Sequence, residues 1–389
     1  MPRLVISTVG TSLLTNQVDR DFDPNNWLER LQKTANYTIE EINKYHEDVS
    51  QIIEDLKQRA EEKLYGAEAD VQEIREASAE LNGIYGLYNE QLAQGISDTH
   101  LLIATDTAQA RITAEIVESF LKSQGLANTS TCIQPGLSTA SSNTFTEGIA
   151  KLIPSIQETI FSCKKSQYQI YFNLVGGFKA LQGYFNTIGM FYADELIYVF
   201  EGTNEVIKIP RLPITIARSE VEPYKVQLAM MDVGEILTSW EEAKKVPKEW
   251  VIIDGQEMTL STWGQLIWNQ CNDDLLSRND LLDFPKSKLD YRDSLKDDYQ
   301  RIQNPQERIQ LQKEIAKVAC ALINHKDGIS VLKEGRGGVK LRRYTGTDIE
   351  HFNITDSLRV SCKLIEGRLW LRYYGTHNHV QRSEGIKGK

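Results

Sequence analysis

Between residues 3 and 201, short apolar runs rich in β-branched residues alternate with longer stretches whose apolar positions recur at helical spacing. No other feature limits the possible folds as strongly. The runs are RLVISTV (3–9), HLLIATDT (100–107), STCIQ (130–134), YQIYFNLV (168–175) and ELIYVFE (195–201). The spacing predicts two long helices over 26–94, broken near Tyr65-Gly66, and further helices over 108–124, 142–158 and 178–193. Strand–helix alternation builds an open, mostly parallel sheet with helices on both faces, an α/β Rossmann-like domain. Such a sheet binds ligands beyond the carboxyl ends of its strands, at the crossover. The candidate ligand-binding residues there are Gly10, Thr11, Ser12 and Asn16 after the first strand, Thr105, Asp106 and Thr107 after the second, and Gly176, Gly177 and Lys179 after the fourth.

Pro210, Pro213 and Pro223 mark the end of this domain, because proline interrupts both helices and strand pairing. The organisation expected is a domain over 1–218, a helical and mixed connector over 219–285, and an α+β domain over 286–389. The connector carries a helical stretch near 232–245, a hairpin around Asp254-Gly255 and a helix over 261–276; a winged-helix-like module is one reading of it. Two charged helices follow, over 289–304 and 305–325. The period then changes to two in GGVKLRRYTG, DSLRVSCKLIEG and RLWLRYYGTHNHVQR, which predicts an antiparallel sheet. Strict alternation puts Arg359, Ser361 and Lys363 on one face, and sets Trp370, Arg372 and Tyr374 opposite Leu369, Leu371 and Tyr373.

Charge divides the 389-residue chain the same way. The whole carries 44 Lys+Arg against 54 Asp+Glu, net -10, which excludes a general coat for nucleic acid or anionic membrane. Residues 331–389 hold 12 basic and 6 acidic residues, net +6, and residues 1–330 hold 32 and 48, net -16. Three of the six histidines, His351, His377 and His379, lie in the basic segment. Five cysteines at wide spacing support neither a disulfide framework nor a metal knuckle, and no apolar run suits a membrane span, so a cytoplasmic protein without membrane attachment is expected.

VGGFKAL lacks the GxxxxGK[ST] spacing of a nucleotide-hydrolysing phosphate loop. It keeps a glycine pair before a helix N-terminus, with Lys179 in the first turn, an arrangement suited to an anion such as a phosphodiester. With VGTSLLTN and ATDT, this NLVGGFKAL turn makes residues 1 to about 215 resemble the CRISPR-associated Rossmann-fold (CARF) sensor family. The resemblance implies a homodimer that binds one cyclic oligoadenylate, most often cyclic tetra-adenylate. It implies that Thr11 and Ser12 contact ribose and phosphate, and that Lys179 and the Gly176-Gly177 amides hold phosphates. Some members also cleave their ligand, which makes Ser12 and Lys179 ring-nuclease candidates.

The spacing RxxxxH occurs at Arg372–His377, but its position at a strand end does not suit the all-helical nuclease that uses this motif. The last hundred or so residues instead resemble RelE-type toxins, in two helices followed by a basic sheet ending in a glycine–histidine segment. That resemblance implies metal-independent cleavage of mRNA, on the ribosome, with no cofactor beyond the activating ligand. Arg359 and Arg372 are the candidate phosphate clamps, Lys340, Arg342 and Lys363 auxiliary cations, His377 or His379 the acid or base, and Tyr373 or Tyr374 a stacking surface. Two alternatives stay open: a ring nuclease that removes the signal, and a ligand-responsive regulator that binds nucleic acid.

Overall fold

The computed structural model describes residues 1–66, 69–200 and 205–386. The chain forms two compact units, 1–214 and 215–389. In the first, strands β1 (Arg3–Val9), β2 (Thr99–Ala104), β3 (Thr129–Ile133), β4 (Gln169–Asn173), β5 (Glu195–Val199) and β6 (Val206–Pro210) form one sheet in the order β3-β2-β1-β4-β5-β6. All neighbours are parallel except β5 and β6. The chain builds outward from β1 through β2 to β3, then crosses to β4 on the other side, so the crossover lies between β1 and β4. Leu4, Val5, Ile6, Leu102, Ile103 and Phe172 are fully buried, which is why these strands read as unbroken apolar runs.

The helices of this unit are α1 (Ser12–Thr15), α2 (Trp27–Lys33), α3 (Ile39–Tyr45), α4 (Glu47–Tyr65), α5 (Val71–Ala77), α6 (Ala79–Leu87), α7 (Ala108–Ser123), α8 (Ser142–Lys165) and α9 (Lys179–Tyr192). Five helices thus replace the two long ones expected over 26–94, although the break at Tyr65-Gly66 is where the sequence puts it. Side-chain caps start α3, α5 and α6. The Thr38 hydroxyl accepts from the Glu41 amide while Glu41 accepts from the Thr38 amide, and Asp70 and Ser78 accept from the amides of Glu73 and Leu81. The edge strand β6 was not expected, since Pro210 suggested only a domain end; at an edge the missing N–H is tolerated. The expected fifth strand reached Glu201, which lies outside the described residues.

The second unit contains α10 (Arg218–Val221), α11 (Lys225–Val233), β7 (Ile236–Leu237), β8 (Val251–Asp254), β9 (Glu257–Leu260) and α12 (Thr262–Leu276), with β7-β9-β8 as a small antiparallel sheet. It continues through β10 (Leu289–Tyr291), α13 (Asp293–Gln300), α14 (Pro305–Asn324), α15 (Gly328–Glu334), β11 (Arg342–Arg343), β12 (Glu350–Asn353), β13 (Leu358–Ile365), β14 (Arg368–Thr376) and α16 (His377–Ser383). Residues 219–285 and 286–389 share one hydrophobic core, in which Trp268, Phe284, Leu295, Ile315, Phe352 and Leu371 are buried together. The helix expected near 232–245 lies earlier, as α11, and Leu289–Tyr291 is a strand rather than a helix start.

The larger sheet has the order β10-β14-β13-β12-β11, antiparallel except for the β10–β14 pair. Its register shifts between β13 and β14: Ser361 faces Tyr373 and Cys362 faces Leu371, which leaves Arg372 as the extra residue of a β-bulge. The bulge reverses the expected alternation. Tyr374 joins Leu369 and Leu371 in the core, and Tyr373 stays with Ser361 on the other face. Among the described residues no helix is long and apolar enough to cross a membrane.

A buried polar group at the start of β2 gives the first unit a pH-dependent stability. The Tyr88 hydroxyl donates to Asp98 at 2.9 Å and contacts His100 Nε2 at 2.9 Å, so the imidazole is the donor to Tyr88 and its Nδ1 is left bare and unpartnered. Burial, with the Arg3 charge adding, lowers the His100 pKa from 6.5 to about 4. The unfolded chain binds this proton more tightly, so stability is complete above about pH 6.5 and is lost as pH falls toward 4. The expected loss is about 3 kcal/mol. Urea unfolding of the wild type and His100→Gln across this range measures it; an equal acid slope in both would show that His100 is not its source.

Candidate functional site

At the crossover the loops after β1 and β4 touch through glycine. A Cβ on Gly10 would lie 3.0 Å from both the Cα and the N of Gly177, and Gly177 has φ +99°, with its own Cβ position 2.8 Å from Thr8 Cβ. The Thr8 hydroxyl donates to the Gly176 carbonyl at 2.5 Å, and the Gln182 amide donates to the same carbonyl at 2.9 Å. The Asn173 amide donates to Ser7 Oγ at 3.2 Å and to the Glu80 carbonyl at 3.0 Å, which ties β4 to α6.

The position expected to hold a ligand phosphate is filled by a side chain. Glu80, in the first turn of α6, is fully buried, and its carboxylate accepts from the Gly10 amide at 2.7 Å, Ser12 Oγ at 3.0 Å and Ser78 Oγ at 2.7 Å. Ser12 Oγ in turn accepts from the Ala79 amide at 3.1 Å. Gly176 has no room for a Cβ, which would collide with the Glu80 carboxylate. Gly10 and Ser12 therefore converge with Gly176 and Gly177, but the Gly10 amide and the Ser12 hydroxyl are engaged internally. Nothing in the sequence distinguishes Glu80 from the other glutamates of its helical stretch.

The remaining expected ligand residues divide. Asn16 turns away, donating to the Glu76 and Ala77 carbonyls at 3.1 and 3.4 Å. Thr105 and Thr107 are buried and share a hydrogen bond of 3.1 Å. Asp106 accepts from the Gly136 amide at 2.9 Å and from Arg111 at 2.7 Å, so it anchors the loop after β3. Burial raises its pKa, and those two donors outweigh burial and bring it below the ordinary value. Thr11 is half-buried, and Lys179 stands exposed in the first turn of α9, which no side chain caps. The exposed cation and the uncapped helix start of this edge are thus on the α9 side.

In the second unit the pleat builds a cationic face. Arg342, His351, Ser361 and Tyr373 form one row across β11, β12, β13 and β14, and Arg359 lies opposite Asn353 and Gly375 in the next row. Two histidines join Arg359 there. His351 stacks on Tyr344 with ring centroids 4.2 Å apart at 23°, and His377, at the start of α16, meets the same ring edge-on at 6.3 Å. His351 Nδ1 and Arg359 Nε are buried and lack a hydrogen-bond partner among the described residues, and the buried Tyr344 hydroxyl has no acceptor there, with the Arg359 guanidinium beside it as a donor. These residues retain 8%, 9% and 6% exposure.

The electrostatics follow from this crowding. Burial, then the charges of Arg359, His377 and Arg342, lower the His351 pKa to about 4, against an opposing hydrogen bond to the Arg342 backbone. His377 is exposed, yet partial desolvation and the Arg359 charge lower its pKa as well. Burial raises the Tyr344 phenol despite the neighbouring Arg359 guanidinium. Of the expected catalytic set, Arg359 and His377 meet here. Tyr344 and His351 were missed; the only signal was the concentration of histidine in the basic segment.

The other expected residues have partners or lie elsewhere. Arg372 forks onto Glu384 with Nε–O distances of 2.9 and 3.1 Å and an Nη2–O distance of 2.9 Å, and Ser361 Oγ donates to the same carboxylate at 2.6 Å. This bulge arginine is a neutralised structural group, not a free clamp. Lys363 pairs with Asp348 at 2.6 Å. His379 contacts Asp298 at 3.2 Å, and the Tyr374 hydroxyl donates to Glu307 at 2.9 Å from within the core, so neither reaches the cationic face as expected. Lys340 and Arg342 are exposed, and only Arg342 lies on a strand of the face.

Residues 75–212 match a family of CRISPR-associated proteins (Cas_APE2256), which supports a CRISPR-related role. The matched stretch holds Glu80, Thr105–Thr107 and Gly176–Lys179 and leaves out Gly10 and Ser12. No curated protein matches the chain.

Proposed function

We propose that this chain is a signal-activated, RNA-cleaving effector of a CRISPR-associated response. In this reading the first unit, as a homodimer, binds cyclic oligoadenylate, foremost cyclic tetra-adenylate, and the second unit cuts mRNA on the ribosome without a metal or cofactor. The observation that carries it is Arg359, a buried cation with an unused N–H beside two histidines and a tyrosine. An uncompensated buried charge is costly, and an incoming phosphodiester supplies what the site lacks. Strand scission by the neighbouring 2'-hydroxyl needs a proton acceptor, a cation for the pentacoordinate phosphorus and a proton for the leaving oxygen, all within the reach of such residues.

The full chain incubated with translating ribosomes, with and without cyclic tetra-adenylate, tests the reading. Ligand is expected to raise mRNA cleavage at least tenfold and to leave 2',3'-cyclic phosphate ends. Intact mRNA in both samples would overturn it. A second reading, breakdown of the signal itself, draws on the Ser12 hydroxyl held against the Glu80 carboxylate. Loss of cyclic tetra-adenylate in the same samples, with mRNA left intact, would favour that reading.

A further inference from the structure

The donors and acceptors left unused on the cationic face define the group that completes it. His351 lies opposite Arg342 in the β11–β12 pairing, and the nearby Arg342 backbone partly opposes the lowering of its pKa. Nδ1 is the buried ring nitrogen without a partner among the described residues, and in the Nε2–H tautomer it presents a bare lone pair. Arg359 Nε–H and the Tyr344 hydroxyl are donors without acceptors. The site thus lacks one hydrogen-bond donor for His351 and an acceptor for Arg359 and Tyr344. Sulfate, which carries no O–H at neutral pH, would meet only the second need. A phosphodiester beside a ribose 2'-hydroxyl meets both, and DNA has no such hydroxyl.

We propose that His351 is the general base of the second unit: Nδ1 takes the 2'-hydroxyl proton while Arg359 Nε and Tyr344 Oη hold a non-bridging oxygen of the adjacent phosphodiester. This rests on the RNA-cleavage reading and names its proton acceptor. As the proton passes to Nδ1, the 2'-oxygen bonds to phosphorus and the bond from phosphorus to the 5'-oxygen breaks. The leaving 5'-oxygen takes a proton from water, and the imidazolium returns its proton to solvent. The products are a 2',3'-cyclic phosphate and a 5'-hydroxyl, with no oxidant or metal required. Burial among cations keeps the imidazole uncharged at neutral pH, the state a base needs. His377 packs edge-on against Tyr344 and is exposed, so the site faces solvent on its side.

Full-length His351→Gln and His351→Ala, assayed with cyclic tetra-adenylate on translating ribosomes, test the assignment. Glutamine can keep the hydrogen bond to the 2'-hydroxyl but cannot carry the proton. Both variants are expected to cut mRNA at least 100-fold more slowly, with added imidazole restoring part of the rate in the alanine variant. Binding of an RNA carrying a 2'-deoxy sugar at the cleavage position, which cannot react, is expected to stay within twofold of wild type. Cleavage within threefold of wild type, or a loss matched by equal loss of inert-RNA binding, would overturn the role of His351 and leave the RNA-cleavage reading standing. Absence of cleavage by wild type itself would overturn that reading and this assignment together.

Discussion

Replacing Arg359 by methionine is expected to stabilise the second unit while lowering RNA cleavage about 10²- to 10³-fold. The two effects have one cause. Arg359 is 9% exposed, its Nε–H has no partner, and no carboxylate pairs with it among the described residues; instead His351, His377 and Tyr344 surround it. A methionine of similar length keeps the packing and removes a buried cation with an unpaired N–H, a gain of about 1–3 kcal/mol. For a unit of this size that is roughly 2–4 °C in Tm per kcal/mol. Thermal denaturation and ribosomal cleavage assays on the same preparation read both effects. A variant that melts earlier than wild type would make Arg359 a structural cation and remove the observation on which the proposed function rests.

Arg372 shows why the arginine type alone does not identify the site. It lies on the strand next to that of Arg359 and shares its candidate clamp role in the sequence, but its fork to Glu384 completes a neutral pair whose carboxylate is 1% exposed. Removing one partner there leaves a buried ion, a loss of about 3–5 kcal/mol. The deciding event is the bulge at Arg372, a shift of one residue in a single register that no alternation pattern records. Because of it, Tyr374 enters the core and Arg372 is left outside the ladder.

The first sheet was legible where parallel strands are buried on both faces, since burial leaves runs such as Leu4–Ile6 and Leu102–Ala104 with no polar interruption. It became illegible at β6, an exposed edge that ends in proline, and over 26–94, where local caps outweigh helical periodicity. In the second unit β12 went unseen because two of its four residues, Glu350 and His351, are buried polar groups that no strand pattern anticipates. The same burial makes His351 informative. Arg359 and His377 were found through charge clustering, whereas Tyr344 and His351 required the cross-strand register that brings positions 342, 351 and 361 into one row.

The opposite division of stability and binding is expected at the edge of the first sheet. Glu80→Ala strips three donors, the Gly10 amide and the hydroxyls of Ser12 and Ser78, of a fully buried charged acceptor, and should destabilise the first unit by about 3 kcal/mol or more. With that carboxylate gone, the loops after β1 and β4 lose what spaces them, and cyclic tetra-adenylate binding is expected to disappear with the fold of the edge. Lys179→Ala should leave stability within about 0.5 kcal/mol, because the side chain is exposed and no described residue engages it. Its loss should weaken cyclic tetra-adenylate binding at least tenfold, about 1.4 kcal/mol, and flatten the salt dependence of that binding. Denaturant unfolding and calorimetric titration of both variants separate the roles. If Lys179→Ala binds the ligand as wild type does, the exposed cation and uncapped start of α9 are not where the signal docks, and the first unit's part in the proposed function fails.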